Sequence, residues 1–172
     1  LRHFRFLSES GRSILPVYAH MLAIESTDEA GPWRDFLGAQ PFYLRLRRVL
    51  NVDGEFDIFS EILLPGPRFA GLRELAPQGL DGVLIRDHLA ARFNAPTLDV
   101  EQHLTIGVLP PRACNAIKVA RGTLGLVWVM LGRSYRGQPI TWQRAYLPPV
   151  DRALQILERP ARADLGSTAP GA

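Results

Sequence analysis

The clearest alternation of apolar and polar positions lies in residues 42–65, where two apolar runs are separated by Asp53-Gly54. Asp-Gly between two such runs indicates a β-hairpin, because both central residues of a type I′ turn need a positive φ. The first arm of this hairpin carries three arginines: Arg45, Arg47 and Arg48. The pattern therefore predicts a hairpin that presents basic side chains to the faces of a sheet.

Similar patterns predict the remaining elements. We expect strands at 16–25, 97–108, 123–135 and 139–148, and helices at 32–38, at 82–93 and from 112 to about 121. A helix competes with the strand at 16–25, and a short final helix is expected at 151–157. The first strand is apolar on both faces, which favours a position inside the sheet. The order of elements predicts an α+β domain with a mainly antiparallel sheet of about six strands and helices packed on it.

The chain is expected to have three parts. Residues 1–13 are predicted to be a linker or N-terminal extension, held by an apolar anchor at Phe4 and Phe6. Residues 14–157 form the predicted folded domain. Residues 158–172 offer little to bury, so a disordered tail is expected. Because the chain does not begin with methionine, we also expect it to be a fragment of a longer protein.

Composition narrows the classes of function. With 172 residues, 47% of them hydrophobic and 22% charged, the chain is typical of one globular domain. Lys118 is the only lysine among 20 basic residues, and the arginines are scattered, so no nucleic-acid surface is predicted within the domain. One cysteine, Cys114, and four histidines without ligand spacing predict neither a disulfide, a metal site nor a cofactor. No apolar run reaches membrane-spanning length, so a cytoplasmic location without membrane association is expected.

Four local patterns follow one another in the chain. The first is an arginine-led strand, an Asp-Gly turn and a closing proline, given by Arg48, Asp53, Gly54 and Pro65. The second is a helix that ends in an aromatic residue and glycine, followed by a strand that starts with glutamate; it is met by Phe93 and Glu101, with Asn94 in place of the glycine. The third, A-x-x-L-x-V-x-x-G-x-P-x-L, is met in part by Cys114, Ile117, Val119, Gly122, Leu124 and Leu126. The fourth is a G-x-P turn in the last hairpin: Gly137 and Pro139.

Through these patterns, residues 4–157 resemble the UTRA domain, the effector-binding part of HutC-type GntR transcriptional regulators, which is similar in fold to chorismate lyase. The resemblance implies a homodimeric domain that binds a small effector, with a carboxylate among the candidates. It also implies that the effector modulates DNA binding by a separate winged-helix domain, which this chain does not contain. No DNA contact is expected from the domain itself.

The resemblance implies candidate effector-binding residues. The ligand arginine of the family corresponds to Arg48, with Arg47 as the neighbouring alternative, and an acidic position of the family is filled by Ser60. Leu50 replaces a frequent second arginine, which weakens the case for a strongly anionic ligand. Arg86 stands at a helix start where members that bind phosphosugars have tyrosine, which argues against a phosphosugar. The other candidates are Glu101 and three residues at alternate positions of the last strand: Trp142, Arg144 and Tyr146.

Each candidate also has a simpler interpretation. An arginine on a strand is often a solvated or ion-paired edge residue. Glu101 and His103 share a strand face and form either a general acid–base pair or two exposed polar positions. Trp142 and Tyr146 suit the core or its rim as well as a ligand pocket, since such pockets are mostly apolar.

Three functions remain open at the level of sequence. The main hypothesis is an effector-sensing domain of a GntR-type, HutC-like regulator. The second is a chorismate lyase-like enzyme that eliminates pyruvate from an aromatic dicarboxylate, with Arg48 as the carboxylate clamp and Glu101 as the acid. The third is a stand-alone dimeric binding module without a DNA partner.

Overall fold

A computed structural model describes residues 4–157 as one six-stranded antiparallel sheet with short helices. The strands are β1 (Val17–Thr27), β2 (Tyr43–Val52), β3 (Phe56–Pro65), β4 (Asp99–Val108), β5 (Leu124–Arg133) and β6 (Pro139–Leu147). Their spatial order is β1-β2-β3-β6-β5-β4. The predicted α+β class with a six-stranded antiparallel sheet is confirmed.

The Asp53-Gly54 turn sets the register of the central hairpin. Asp53 has φ 47° and Gly54 has φ 73°, and the Glu55 N–H donates to the Val52 carbonyl over 2.8 Å, so the turn has the positive φ values that the sequence predicts. The register pairs Arg48 with Ser60 across the two strands. Because side chains alternate along a strand, these two residues share one sheet face, here called the Arg48 face, while the neighbouring Arg47 lies on the other, here called the Arg47 face.

Three α-helices and three 3₁₀ turns connect the strands. The helices are α1 (Trp33–Leu37), α2 (Ile85–Phe93) and α3 (Pro111–Ile117), and the 3₁₀ turns are Ala70–Glu74, Pro77–Leu80 and Tyr135–Gly137. Helix α2 ends at Asn94 in the left-handed conformation, as predicted. Helix α3 ends earlier than predicted, because Lys118 is left-handed with φ 56° and the Val119 N–H closes back on the Cys114 carbonyl over 3.0 Å.

Two predictions about segments at the sheet margin are wrong. Strand β1 is an edge strand and not an inner one, and its Tyr18 side chain is 62% exposed. Its apolar pattern is interrupted by a β-bulge between Met21 and Ala23, which shifts the alternation of faces. Residues 151–157 form no helix, because Leu154 instead makes an antiparallel bridge with Phe6.

The two ends of the described chain form a strap on the Arg48 face, defined here as residues 4–7 and 153–157. The Leu7 N–H donates to the Ala153 carbonyl and the Gln155 N–H donates to the Arg5 carbonyl, at 2.9 and 2.8 Å. Phe4 and Phe6 are buried within the apolar core. The tail predicted to be disordered, residues 158–172, lies outside the described residues.

The apolar core is divided by the sheet and, on the Arg48 face, divided again. One cluster on this face lies under α2 and the 3₁₀ turns Ala70–Glu74 and Pro77–Leu80, and it includes Leu46, Ile62 and Leu89. A second cluster lies under the strap and includes Phe6 and Trp128. Helices α1 and α3 cover the two ends of the Arg47 face. The space between the two clusters of the Arg48 face is where polar side chains enter the interior.

Candidate functional site

A polar band crosses the Arg48 face between its two apolar clusters. Arg48 is 2% exposed, and its Nη2 donates to Ser60 Oγ over 3.5 Å. Gln143, from β6, donates to the same Ser60 oxygen over 3.0 Å. The hairpin register and the pairing of β3 with β6 bring these three residues together. This band forms the floor of a cavity of about 1040 Å³.

Elements from distant parts of the chain form the walls of the cavity. The start of α2 contributes residues 84–87, and the segment into β4 contributes residues 96–100. Strand β5 contributes Trp128, whose ring packs edge to face against Phe4 of the strap at 5.2 Å between centroids. The strap also contributes Arg5, whose Nε donates to the Gln155 side chain over 3.0 Å.

Two guanidinium groups, that of the buried Arg48 and that of the half-buried Arg86, dominate the electrostatics of the cavity. Burial, together with the positive charge of Arg86, lowers the pKa of Arg48 to about 10. Burial lowers the pKa of Arg86 to about 10 as well. Within residues 4–157, Nε and Nη1 of Arg48 have no hydrogen-bond partner, and no carboxylate forms an ion pair with either arginine. A buried charge without a counter-charge is costly, so a negatively charged group in this cavity would be stabilised by Arg48.

Further polar atoms in the cavity wall are available to a ligand. Thr97 Oγ1, Gln102 Oε1 and Trp128 Nε1 are buried and have no hydrogen-bond partner in the described part of the chain. They offer a hydroxyl, an acceptor and a donor beside the apolar surface of Ile62 and Ile85. A few placed polar groups on a mostly apolar wall are typical of pockets for small molecules.

The predicted site residues fall on both faces of the sheet. Arg48 and Arg86 line the cavity, and Ser60 lies beneath Arg48 and holds it. The other five lie on the Arg47 face, away from the cavity: Arg47, Glu101, Trp142, Arg144 and Tyr146. The structure therefore brings three of the candidates together and separates them from the rest. As binding residues, all eight stay predictions.

On the Arg47 face, the candidates already have partners within the protein. Arg47 forms an ion pair with Glu25, and Arg144 stacks over Trp142 at 4.6 Å. Tyr146 accepts a hydrogen bond from Arg112 over 3.0 Å, in the same contact that joins Arg112 to a buried glutamate, Glu61. These contacts fit the simpler interpretation of an ion-paired, aromatic rim.

Glu101 is exposed and hydrogen-bonded on the Arg47 face. The Arg133 guanidinium donates to its carboxylate over 3.1 Å, and this bond, with one from His103 at 2.9 Å, lowers the pKa of Glu101. A general acid needs a raised pKa and needs to lie beside the bound substrate. Glu101 has neither property relative to Arg48, because the sheet separates the two side chains. The arrangement that the lyase hypothesis requires is absent from the described residues.

Sequence reasoning missed most of the cavity wall, including Gln102, Trp128 and Gln143. The site residues predicted on β6 are alternate positions that begin at Trp142. Gln143, one position later, is the residue that faces the cavity. Only the pairing of β6 with β3 distinguishes the two faces. The one local signal for Trp128 is its residue type in an apolar strand, because a tryptophan buried there usually needs a hydrogen-bond partner for its Nε1–H.

Neither a metal site nor a membrane-spanning helix is found among residues 4–157. No group of three or more histidine, cysteine or acidic side chains is placed to hold a metal ion. In the same part of the chain, no helix has the length and apolar character needed to cross a membrane.

Comparison with known proteins identifies the family. The UTRA domain model matches residues 37–151. No curated protein sequence matches the chain. Among solved structures, the ligand-binding domain of a candidate GntR-family transcriptional regulator from Bordetella bronchiseptica superposes with a TM-score of 0.76 at 13% identity, over 92% of this chain and 99% of that one.

Two further structures show the same fold at low identity. PhnF from Mycobacterium smegmatis has a TM-score of 0.67 at 17% identity, over 78% of this chain and 59% of PhnF. A GntR-family transcriptional regulator from Enterococcus faecalis has a TM-score of 0.66 at 13% identity, over 82% of this chain and 99% of that one. The sheet and helices are thus those of GntR-type ligand-binding domains, with a chorismate lyase-like fold. With the match over residues 37–151, the chain belongs to the UTRA domain family.

Proposed function

We propose that this domain senses a small anionic effector in the Arg48 cavity and that binding modulates DNA contact by a winged-helix domain of a HutC-like GntR regulator. The observation that carries the proposal is the Arg48 guanidinium, which is buried on the floor of a cavity of about 1040 Å³ and has no acidic partner among the described residues. Such a regulator acts on DNA in the cytoplasm. The proposal involves no cofactor or metal.

The chemistry of the cavity favours an organic acid over a neutral ligand. A carboxylate oxygen can accept a hydrogen bond from Nε or from Nη1 of Arg48, which have no partner among residues 4–157, and charge-assisted bonds of this kind are stronger than neutral ones. The carbon skeleton of the acid would contact Ile62 and Trp128. Ser60 supports the arginine from below and orients it. Arg48 is therefore the proposed anchor of the effector.

The strap offers a route from the cavity to the rest of a regulator. Phe4 and Arg5 line the cavity and belong to the segment through which the chain enters the domain. A ligand can shift the arrangement of the strap only through its different affinity for two arrangements. A ligand that contacts Arg5 or Gln155 would have such a difference, because it would compete with or reinforce their 3.0 Å hydrogen bond.

A homodimer is part of the proposal, and strand β4 is its proposed interface. Strand β4 is the last strand of the sheet order, so one edge of its backbone pairs with no strand of residues 4–157. Leu104, Ile106 and Val108 on this strand are 43%, 77% and 62% exposed, and Leu124 beside them is 59% exposed. An exposed apolar edge strand is a template for pairing with another chain. A second copy of the domain would cover it.

The proposed function is tested by a thermal-shift screen of organic acids, amino-acid metabolites, sugars and chorismate against the wild type and Arg48→Ala. A ligand that binds only the folded state at 100 times its Kd should add about 2.7 kcal/mol to the free energy of unfolding, which raises the melting temperature by several degrees. We expect an acid to stabilise the wild type and not the variant.

The control is Arg92→Ala, which also removes an arginine, here an exposed one of helix α2 that does not line the cavity. This variant should respond like the wild type. Recovery of the ligand unchanged after incubation separates a sensor from an enzyme. A hit that is consumed, or that stabilises Arg48→Ala equally, would contradict the proposal.

A further inference from the structure

Two arginines reach the same cavity from opposite sides. Arg48 rises from the sheet floor, and Arg86 is the second residue of α2, which covers it. Arg48 is buried and Arg86 is half-buried, and the charge of Arg86 adds to the effect of burial in lowering the pKa of Arg48, so the two guanidinium groups interact. Like charges in a desolvated space repel each other. The cavity therefore holds two positive charges that no ion pair within residues 4–157 compensates.

The acidic residues at the cavity do not cancel these charges. Asp87 and Asp99 lie at the rim and are exposed, where water and salt screen them. Asp99 also accepts a hydrogen bond from Arg133, at 3.5 Å. The third arginine at the cavity, Arg5, donates to Gln155 and adds positive charge. The interior thus has an excess of positive charge that no described carboxylate neutralises.

The backbone at the start of α2 adds to this excess. The first N–H groups of a helix have no partner within the helix, and the helix dipole makes this end positive. Leu84 at the N-cap position provides no side-chain hydrogen bond to them. Residues 84–87 line the cavity, so this end of the nine-residue helix faces the same space as the buried, unpartnered Arg48.

We infer that the ligand of this cavity is a dianion, a small organic molecule whose two negative charges are shared between Arg48 and Arg86, and that Arg86 determines the preference for two charges over one. The inference rests on the proposed function, because it concerns the same cavity. A monoanion bound at Arg48 would leave Arg86 unpaired. A dicarboxylate and a phosphate monoester each supply the second charge, and the wall around Ile85 and Trp128 accepts their carbon skeletons.

The test measures binding of dianions and their monomethyl esters by calorimetry to the full 172-residue chain. One series uses aliphatic and aromatic dicarboxylates, and the other uses phosphate monoesters, so the series that binds identifies the source of the charge. In the wild type, the dianion should bind about tenfold or more tightly than its ester, a difference of about 1.4 kcal/mol. In Arg86→Leu, the ratio should fall to near one. Arg92→Leu, on the exposed face of the same helix, should keep the wild-type ratio.

Inorganic phosphate provides a second readout that needs no organic skeleton. It carries mainly one negative charge at about pH 5.5 and mainly two at about pH 8. In phosphorus NMR, the wild type should broaden the inorganic phosphate signal, and this broadening should increase with pH. The increase should be absent in Arg86→Leu. Arg86→Gln, which keeps a polar side chain, should also lose it, and circular dichroism checks that each variant is folded.

The outcomes separate the inference from the proposed function. If acids bind through Arg48 with the same affinity in the wild type and in Arg86→Leu, the proposed effector cavity would be supported. The inference that its ligand is a dianion would be wrong. Equal binding of a dianion and its ester by the wild type would also overturn it. If no acid and no phosphate binds the wild type, the proposed function and the inference fall together.

Discussion

Within the described part of the chain, the Arg48 guanidinium hydrogen-bonds through Nη2 alone, to the Ser60 oxygen that also accepts from Gln143. Its removal from water costs several kcal/mol after relaxation, and the one long bond of 3.5 Å to Ser60 offsets little of that. A residue that weakens the fold in this way is typical of a functional site, where stability is given up for binding. The free energy of unfolding of the unliganded domain should therefore be lower than that of a domain with the same apolar core and no buried charge.

Arg48→Met should stabilise the unliganded domain. Methionine keeps an unbranched apolar side chain, shorter than that of arginine, and removes the buried charge, so we expect the free energy of unfolding to rise by about 1–3 kcal/mol. Urea denaturation at neutral pH measures this, with an unchanged m-value as the check that the same surface is exposed. Arg92→Met serves as the control and should change little. Destabilisation of Arg48→Met would mean that the guanidinium has a structural role.

At the scale of elements, one carboxylate joins the turn before α2 to the edge strand β1. Asp81 accepts a hydrogen bond from the Met21 backbone N–H at 2.7 Å and contacts His20 Nδ1 at 3.0 Å. The bond falls where the bulge interrupts the register of β1. The Met21 N–H is the main cause of the lowered pKa of Asp81. This contact holds the turn, and with it the start of α2, against the sheet.

The stabilisation by Asp81 should depend on pH. A carboxyl group with a lowered pKa stabilises the fold fully above its ordinary value of 3.8, and the contribution is lost as the pH falls through the lower pKa of the folded state. Asp81→Ala should therefore lower the urea midpoint at neutral pH, and its difference from the wild type should shrink in acid. Asp28→Ala, in the exposed loop after β1, is the control. A difference that persists in acid would argue against this hydrogen bond.

Elements that are adjacent in the sequence were predictable, and their long-range pairing was not. The Asp53-Gly54 turn fixes which residues of its two arms face each other, so Arg48 and Ser60 could be placed together from the sequence. Gln143 joins them only because β6 inserts beside β3, a neighbour relation that no local pattern encodes. A shift of one residue along a strand changes the face, which is why the argument from β6 favoured Trp142.

At the scale of the whole molecule, the cavity interrupts the core. On the Arg48 face, the cluster under α2 and the cluster under the strap are separated by the polar band. A bound ligand would fill this interruption and contact both clusters at once. One ligand molecule would then contact both the strap, which comes from the two ends of the domain, and α2, which comes from its middle. Effector binding is therefore expected to act on the domain as a unit.

The dimer proposal belongs to the same scale. Ile106→Lys places a charge in the exposed apolar row of β4 and should shift the domain from dimer to monomer in size-exclusion chromatography with light scattering. Leu22→Lys makes the same change at an exposed position of the opposite edge strand, β1, and should leave the dimer intact. A wild type that is monomeric at all concentrations would refute the proposal, and a dimer lost only with the β1 variant would place the interface at the other edge.

The bridge between Phe6 and Leu154 brings the beginning and the end of the described chain to one place beside the cavity. Domains whose ends meet tolerate insertion into a host protein. Here the meeting point is also a wall of the cavity, so a host joined at these ends would be connected directly to the element that a ligand contacts. The same architecture that suits a switch would thus suit a genetically encoded biosensor, in which a fluorescent host reports occupancy of the cavity.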